Sequence, residues 1–249
     1  MNKSIFITGG TSGVGKALID EFAKNNYNIF FTYFKNLKEA KIISKNLQNL
    51  NINHDFVKMD LSNKSSINRA FKRFSDKFKK LNIFINNASP EIKREEFLQV
   101  KDSNILKILN TLLIGNIISL KNALKHLLKK KDNSESVIIN ISSYSAITGG
   151  KNIHLYAAAN AALNILTKAL SEDKFKKKIK IISVVPRYID TPTFRKNNNI
   201  KNENDLDSFK KNKKIKSIKK SDDFSKFIYE KIIKNKNYKK KQIIYYHTS

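Results

Sequence analysis

Near its start the chain reads Thr8-Gly9-Gly10-Thr11-Ser12-Gly13-Val14-Gly15, between a short apolar run and the first amphipathic pattern. Four of the seven glycines in the chain lie in this stretch. Glycine permits a tight turn and lets backbone amides approach a ligand closely, and the N-terminus of a following helix favours a phosphate. The pattern predicts a strand, a turn that binds a dinucleotide, and a helix; a merely tight turn is the alternative. The residues expected to contact the dinucleotide are Gly9, Thr11, Ser12, Gly13, Val14 and Gly15.

Outward from this turn, short apolar runs alternate with longer helical patterns along almost the whole chain. We predict strands over Ser4–Thr8, Asn28–Tyr33, His54–Met59, Ile83–Asn86, Val137–Ile141, Ile179–Val185 and Gln242–Tyr246. We predict helices over Gly13–Lys24, Leu37–Leu50, Lys64–Lys80, Ser103–Lys130, Leu155–Lys174 and Asp222–Lys234. The alternation is typical of βαβ units, so we expect an α/β fold in which a parallel sheet carries helices on both faces. No repeat and no shift in hydrophobicity marks a second domain within 1–249.

One segment, Arg187–Ser221, departs from this pattern because it is polar and has no strong periodicity. It follows a late strand, at the edge where open α/β sheets bind ligands. A connection of this length within a compact domain is usually a functional lid or a disordered insertion. We predict a substrate lid over residues 187–221.

The chain has 249 residues and a formal charge of +28, with 49 Lys and Arg against 21 Asp and Glu. Only five of the basic residues are arginine, whose planar fork suits phosphate recognition better than lysine does. We therefore attribute the charge mainly to compositional drift and expect no specific nucleic-acid partner; a polyanionic partner is the alternative. The lack of cysteine excludes disulfides and thiolate sites, and four scattered histidines predict no metal site.

The start of the chain and its most apolar stretch bear on localisation. Met1-Asn2-Lys3 leads directly into an apolar strand, which leaves no room for a signal sequence. Ile105–Leu128 is apolar but is interrupted by lysines and asparagines, so we expect a mostly buried amphipathic helix and no membrane span. These patterns predict a soluble, cytoplasmic protein.

The end of the second predicted strand bears on the choice between NAD and NADP. An acidic residue there would bind the ribose hydroxyls and repel a 2′-phosphate. The sequence instead reads Thr32-Tyr33-Phe34-Lys35, so we expect NADP(H) to be preferred, with NAD(H) as the alternative. Ser12 and Lys35 are expected to face the 2′-phosphate, and Tyr33 belongs to the same site. Asp60, after the third strand, is expected to accept from the adenine amino group; a turn or N-cap role is the alternative.

In their order and spacing, these motifs resemble the short-chain dehydrogenase/reductase family over nearly the whole chain. The matching blocks are Thr8–Gly15, Asp60-Leu61, Asn86-Asn87-Ala88, Ile139–Ser143, Tyr156–Asn160 and Pro186–Pro192. The resemblance implies a single doubly wound Rossmann-type domain with about seven parallel strands, a homodimer or homotetramer, and hydride transfer between a nicotinamide and a carbonyl or alcohol carbon. The chain is similar to NADP-dependent ketoreductases of the family that act on acyl-carrier-protein substrates, so a small carbonyl substrate carried on an acidic protein is one implied partner.

The resemblance also implies roles for individual residues. Tyr156 matches the acid that protonates the carbonyl oxygen, and Ser143 matches the serine that hydrogen-bonds the same oxygen. Asn87 matches a structural asparagine of the fourth strand. Tyr156 and Asn160 are implied to act both in catalysis and in cofactor binding, and Asn87 is implied to contact the cofactor as well. The other positions implied to line the cofactor site are Leu61, Ala88, Pro186, Ile189 and Thr191. The helices near Ser103 and Leu155 are the implied subunit contacts.

Two departures from the family pattern affect catalysis. Asn160 stands four residues after Tyr156, where a lysine is expected, and Leu112 stands where an asparagine is expected. A shifted register would let Asn110 or Asn116 substitute for that asparagine, but the downstream spacing argues against a shift. Without a nearby cation, a tyrosine keeps a pKa near 10 and stays protonated at neutral pH, which suits reduction better than oxidation.

Two further departures replace glycines of the family pattern with Ser89 and Arg187. The sequence leaves open whether Arg187 contacts the cofactor carboxamide or a substrate anion. From all these residues we predict slow or atypical reduction of a carbonyl by NADPH. The alternative is a catalytically impaired, cofactor-binding pseudoenzyme that acts as a sensor or partner subunit.

Overall fold

The computed structural model describes residues 2–129, 136–173, 178–235 and 242–246. Its strands are β1 (Ser4–Ile7), β2 (Asn28–Tyr33), β3 (His54–Lys58), β4 (Ile83–Asn86), β5 (Ser136–Ile141), β6 (Ile179–Pro186), β7 (Ile189–Asp190), β8 (Lys219–Lys220) and β9 (Ile243–Tyr246). Its α-helices are α1 (Gly13–Lys24), α2 (Leu37–Asn49), α3 (Lys64–Lys77), α4 (Asp102–Leu109), α5 (Asn116–Leu128), α6 (Ser145–Thr148), α7 (His154–Ser171), α8 (Pro192–Asn197), α9 (Glu203–Asn212) and α10 (Ser221–Phe227). A 3₁₀ turn covers Phe97–Gln99, and π-helical segments cover Asn110–Gly115 and Ile228–Lys234.

Seven strands form one parallel sheet in the order β3-β2-β1-β4-β5-β6-β9. The chain runs outward from β1 to β3, then crosses to the other side of β1 and continues from β4 to β9. The direction of winding therefore reverses between β1 and β4, and such a reversal opens a ligand crevice at the carboxyl ends of the two strands. The predicted doubly wound Rossmann-type fold in a single α/β domain is confirmed.

The core consists of two hydrophobic layers, one on each face of the sheet. Every residue of β1 is buried, and its side chains alternate between the layers: Ile5 and Ile7 face the layer that includes α1. Phe6 faces the other layer, where the ring centroids of Phe30 and Phe71 lie 4.7 and 4.6 Å from its own. Because β1 is packed from both sides, the glycine turn at its end stands on a rigid base.

The predicted element boundaries agree closely with the structure. The bounds of α1, β2 and β4 are those predicted, and the other predicted elements differ by a few residues at most where the structure describes them. The predicted helix ends at Lys130 and Lys174 lie outside the described residues.

The helical run Asp102–Leu128 is less buried than the sequence predicts. By length and composition it is the one helix within the described ranges that could cross a membrane, with a mean hydropathy of 1.4. One side of the run packs in the core through Leu112, Leu120 and Leu127, whereas Leu106 and Ile114 are exposed. A core helix of a globular domain passes the same test of length and composition; in this run 28% of the apolar window is buried, and its buried side packs in the hydrophobic core.

The predicted lid segment contains regular structure that its composition does not reveal. It holds α8, α9 and a separate parallel pair of short strands, β7 and β8. Thr191 caps α8 by accepting from the Phe194 amide at 3.1 Å, and Pro192 occupies the first helical position. A capping box of Asn202 and Asp205 begins α9. Local capping therefore supports helices that carry too few apolar residues to show the hydrophobic period of an α-helix.

Candidate active site

The glycine turn is held by hydrogen bonds to the end of β2. The amide of Gly9, at a φ of +69°, donates to Thr32 Oγ1 at 3.1 Å, and the amide of Gly10 donates to the Thr32 carbonyl at 2.7 Å. Ser12 is the N-cap of α1: its Oγ accepts from the Gly15 amide at 3.1 Å and donates to the Gly9 carbonyl at 2.9 Å. The amides of the first helical turn have no intrahelical acceptors, so those of Gly13 and Val14 are available to an anionic ligand.

The turn has no room for larger residues. A Cβ on Gly15 would lie 2.1 Å from the Gly9 carbonyl oxygen, and one on Gly10 would lie 2.7 Å from the side chains of Ile19 and Phe31. The glycines are therefore required by close backbone and core contacts as well as by access for a ligand. The backbone at Gly9 needs the left-handed region that favours glycine.

The loop after β4 is tied directly to the glycine turn. Asn87 Nδ2 donates to the carbonyls of Thr8 and Gly9 at 2.9 and 3.2 Å. In return, Thr8 Oγ1 accepts from the amides of Asn87 and Ala88 at 3.0 and 2.9 Å. These bonds lock together the two strand ends that border the crevice. Asn87 thus lies where a structural asparagine is expected.

The residues predicted to select NADP lie at the end of β2, but they are not equally suited to the task. The Ser12 hydroxyl already donates its one proton to the Gly9 carbonyl, so in this conformation it has no donor for a phosphate. Lys35 is exposed, with its ammonium 5.9 Å from the Phe34 ring centroid, and Tyr33 beside it is partly buried. Of the two predicted phosphate contacts, only Lys35 offers a donor.

Asp60 stands in the turn after β3. Its Oδ1 accepts from the amide and the hydroxyl of Ser62 at 2.8 and 2.7 Å, while Asn63 is the N-cap of α3. The N-cap alternative for Asp60 is therefore wrong, and the turn alternative describes its contacts. Leu61, the next residue, is buried, and its carbonyl oxygen would lie 2.1 Å from a Cβ on Gly115.

The loop after β5 and the start of α7 bring Tyr156, Ser143 and Asn160 together. Tyr156 is partly buried, and burial raises the pKa of its phenol above the usual value, whereas hydrogen bonding from Ser143 and Asn160 lowers it. Ser145 donates to Ser143 Oγ from its hydroxyl at 2.9 Å and from its amide at 3.3 Å. The hydroxyl proton of Ser143 is therefore left for another acceptor.

Asn160 is buried and held by its own helix. Its Nδ2 donates to the Tyr156 backbone carbonyl at 2.9 Å, one helical turn back. The amide brings no charge to the phenol, so only dipoles and hydrogen bonds oppose the effect of burial on the pKa of Tyr156.

The π-helical segment Asn110–Gly115 contains Leu112, precedes Asn116 and contacts α7, the helix that carries Tyr156. The Leu112 side chain is buried, and its carbonyl accepts from Asn116 Nδ2 at 2.7 Å. Asn116 Oδ1 is buried with no hydrogen-bond partner, and so is the Oδ1 of nearby Asn86, whose Nδ2 donates to the Asn116 carbonyl at 3.4 Å. Asn110, the other candidate for a shifted register, is exposed.

The chain after β6 closes the site from the other side. Pro186 accepts from the Tyr144 amide at 2.9 Å, which joins this strand end to the loop that carries Ser143. Ile189 is buried, and Thr191 lies against the glycine turn, 3.0 Å from the position of a Cβ on Gly13. The residues that follow β1, β4, β5 and β6 therefore lie at one edge of the parallel sheet.

Comparison with known proteins adds to this geometry. A family model described as short chain dehydrogenase matches residues 3–202, which is most of the chain. The chain belongs to this family.

Curated relatives of this short chain dehydrogenase include reductases of acyl-carrier-protein substrates. The 3-oxoacyl-[acyl-carrier-protein] reductase FabG of Chlamydia pneumoniae is 26% identical over 205 residues, which cover 82% of this chain and 80% of the relative. A 3beta-hydroxysteroid dehydrogenase of Mediterraneibacter gnavus is 26% identical over 190 residues, which cover 76% of this chain and 67% of the relative.

Solved structures share the fold of this short chain dehydrogenase over nearly its whole length. A short chain dehydrogenase from Burkholderia cenocepacia in complex with NADP has a TM-score of 0.85 at 20% identity and covers 99% of this chain and 97% of its own. A 3-ketoacyl-(acyl-carrier-protein) reductase from Brucella melitensis complexed with NADH has a TM-score of 0.83 at 20% identity, with coverages of 98% and 96%.

The sequence analysis missed several polar residues that shape the site of this short chain dehydrogenase. Thr32 accepts from the glycine turn and Ser145 orients Ser143, and neither was singled out. Asn140 donates to Thr167 Oγ1 at 2.9 Å and accepts from Asn86, so a buried polar chain crosses the sheet beneath the site. Polar residues within otherwise apolar strands are the signal that would have found them. Within the described ranges, no group of three or more His, Cys, Asp or Glu could hold a metal ion.

Proposed function

We propose that this protein is an oxidoreductase that reduces a carbonyl group with NADPH. The observation that carries the proposal is the convergence of Tyr156, Ser143 and the glycine turn at one edge of the sheet. Membership in the short chain dehydrogenase family supports the reaction class.

The residues present fit a dinucleotide. The amides of Gly13 and Val14 are unsatisfied within α1, and the crowded glycines leave backbone rather than side chain at the surface of the turn. The end of β2 carries no acidic residue and places Lys35 in solvent, which favours NADP(H), with NAD(H) as the alternative. Solved structures of the same fold carry NADP in one case and NADH in another, which supports a nicotinamide dinucleotide as the ligand. When bound, the cofactor supplies the hydride.

The chain's own groups supply the proton and orient the substrate. Ser143, whose oxygen accepts two bonds from Ser145, donates a hydrogen bond to the carbonyl oxygen and keeps its proton. Tyr156 gives its phenolic proton to the same oxygen as negative charge develops there, so one proton is transferred and a phenolate remains. Because burial raises the pKa of Tyr156, the phenol is protonated at neutral pH, as reduction requires. Oxidation needs the phenolate, which is scarce at that pH, so reduction is the favoured direction.

Residues 187–221 are proposed to cover the substrate as a lid. Thr191 lies against Gly13 of the turn, and Lys196 Nζ on α8 lies 2.5 Å from Glu91 Oε1 in the loop after β4. The segment therefore contacts both sides of the crevice. The Lys196–Glu91 pair is exposed, and exposed pairs contribute little, so this contact can open at small cost.

The substrate is proposed to be a small carbonyl compound. Several curated relatives are named as reductases of 3-oxoacyl groups on an acyl-carrier protein, so such a carried acyl group is one candidate. An exposed apolar surface on α4, α6 and α7, which includes Leu106, Ile147 and Ile165, is proposed as the contact of a homodimer or homotetramer. A cytoplasmic location is proposed with these roles.

A fluorescence titration of the purified protein with NADPH, followed by a panel of carbonyl compounds, tests the function. The panel includes acyl thioesters, diketones and quinones, and the same measurements are made on Tyr156→Phe. We expect NADPH to bind to both proteins, because the glycine turn that holds its phosphates is unchanged in Tyr156→Phe. We expect Tyr156→Phe to lose about 10²–10⁴ of the turnover rate, the usual contribution of a general acid.

Two results would contradict the proposal. If NADPH and NADH both fail to bind, the assignment of the crevice as a dinucleotide site is wrong. If NADPH binds and turnover does not exceed that of Tyr156→Phe, the protein is a cofactor-binding pseudoenzyme instead.

A further inference from the structure

Arg187 lies at the junction between the reactive loop and the lid. It follows Pro186, whose carbonyl accepts from the Tyr144 amide at 2.9 Å, and Tyr144 follows Ser143 in the chain. Its guanidinium carbon lies 5.5 Å from the ring centroid of Tyr144 and 5.6 Å from that of Tyr188. The cation therefore lies near two aromatic rings, one of which belongs to the residue after Ser143.

One donor of the Arg187 guanidinium lacks the hydrogen-bond partner that buried polar atoms normally have. Arg187 is partly buried, and its Nε is buried with no hydrogen-bond partner. Within the described residues it makes no ion pair, whereas Arg73 pairs with Asp55 at 2.8 Å and Arg195 pairs with Asp190 at 2.7 Å. A buried donor without an acceptor is costly, and more so when the group is charged. An acceptor supplied by a ligand would remove that cost.

The surroundings of Arg187 would strengthen its attraction for an anion. Tyr188 packs against Phe194 and Phe209 of the lid, with ring centroids 5.9 and 5.6 Å away. Aromatic rings lower the local dielectric and hold the guanidinium plane without neutralising its charge. A guanidinium offers a rigid fork of N–H donors, which matches the two oxygens of a carboxylate or a phosphate.

We propose that Arg187 binds an anionic oxygen group of the substrate, and that the enzyme therefore prefers small carbonyl compounds that carry a carboxylate or a phosphate. This inference rests on the proposed function, because it assigns the substrate class of the same site. Arg187 is a specificity-determining residue in this assignment: it holds one end of the substrate while Ser143 and Tyr156 act on the carbonyl.

The test compares matched substrates that differ in charge. Pyruvate, acetoacetate and levulinate place a carboxylate at increasing distance from the ketone, and the methyl ester of each is its neutral partner. Dihydroxyacetone phosphate and dihydroxyacetone form the phosphate pair, which distinguishes the two kinds of anion. The ratio of kcat/KM within each pair is measured with NADPH for wild type, Arg187→Met and Arg187→Lys.

Arg69→Met is the matched control, because Arg69 is exposed on α3 and its loss changes the net charge equally. We expect wild type to prefer at least one anion over its neutral partner by about 10- to 100-fold, the usual contribution of a hydrogen-bonded charge pair. Arg187→Met should abolish that preference, and Arg187→Lys should restore part of it. Arg69→Met should keep the wild-type ratio.

Two results would overturn the inference. One is an equal preference in wild type and Arg187→Met for every pair. The other is a weaker Kd for NADPH in Arg187→Met with an unchanged ratio, which would make Arg187 a cofactor contact.

A second measurement separates this inference from the proposed function. If wild type reduces no compound in the panel, the proposed function fails, and binding of the same pairs is then measured by ligand-observed NMR. Tighter binding of an anion than of its neutral partner, lost in Arg187→Met, would still support the anion site. Equal binding of both partners by wild type would overturn it.

Discussion

At the position where the family resemblance implies a lysine, the chain carries Asn160, and we expect this residue to affect the proton chemistry of Tyr156. Asn160 is buried and neutral, so burial dominates and the pKa of the Tyr156 phenol lies above its usual value. Below that pKa the phenol is protonated. Reduction should therefore be independent of the ionisation of Tyr156 across neutral pH, while oxidation should rise about tenfold per pH unit until the pKa is reached.

Restoring a cation next to Tyr156 should shift the pH dependence of catalysis to lower pH. In Asn160→Lys, the ammonium lowers the pKa of Tyr156, so the phenol loses its proton at a lower pH. We expect alcohol oxidation to stop rising with pH, and carbonyl reduction to begin to fall, at least about one pH unit lower than in wild type. The measurement is the pH profile of both directions between pH 6 and 10.

Asn160→Met is the control for this prediction, since it has a long side chain without the charge. The NADPH titration and a thermal unfolding curve establish that each variant is folded. Profiles of Asn160→Lys that bend at the same pH as those of wild type, or an equal shift in Asn160→Met, would show that the charge is not responsible.

At the scale of elements, the close approach of Gly115 to the loop after β3 couples two parts of the crevice. A Cβ at this position would lie 2.1 Å from the Leu61 carbonyl oxygen, which is backbone and cannot move away cheaply. We expect Gly115→Ala to lose about 1–3 kcal/mol of stability, as overpacked sites do. Because Leu61 follows Asp60, the same change should weaken NADPH binding.

Urea unfolding and the NADPH titration check this prediction. Asn110→Ala lies in the same π-helical segment on an exposed side and serves as the control, expected to stay within about 0.5 kcal/mol of wild type. Wild-type stability and NADPH affinity in Gly115→Ala would mean that α4 and α5 shift without effect on the crevice.

The elements show where a sequence is sufficient. The bounds of α1, β2 and β4 follow from local patterns, because buried apolar residues recur with the periods of helix and strand. The π-helical segment Asn110–Gly115 escapes such analysis, since it leaves the apolar pattern of a long helix nearly intact. Thr191-Pro192 is a typical start of a helix, but the polar residues around it show no apolar period, so α8 was not predicted.

For the whole molecule, the formal charge of +28 should govern behaviour at low salt. Like charges repel over about 30 Å at 0.01 M salt and over only about 8 Å at 0.15 M. We expect the Tm to rise by about 2–4 °C between these two salt concentrations, which corresponds to about 1 kcal/mol. Retention on heparin should disappear over the same range.

Thermal unfolding at both salt concentrations, with and without NADPH, checks this expectation. The stabilisation by NADPH should persist at 0.15 M salt, because binding at the turn uses hydrogen bonds as well as charge. A Tm that does not rise, or heparin binding that resists salt, would indicate a specific polyanion site. The high lysine content would then be explained by a polyanionic partner and not by compositional drift.

The sequence by itself determined the class of the fold and supplied the residues on which the proposed chemistry rests. Strand and helix periods, the glycine turn and the spacing of Ser143 and Tyr156 are local properties, and each residue carries its part of the pattern whatever surrounds it. The departures expected at Asn160 and Leu112 are local in the same way, because each is defined by its distance along a helix from a recognisable residue.

Only the tertiary structure decided how these residues act. It showed that the Ser12 hydroxyl already donates a hydrogen bond within the glycine turn and that Asn116 donates one to the Leu112 carbonyl. It also showed that the Arg187 guanidinium lies near two tyrosine rings. Those facts depend on strands distant in the chain that end at the same edge of the sheet. Hydrogen-bond saturation and burial are properties of that three-dimensional neighbourhood, and no pattern within one segment contains them.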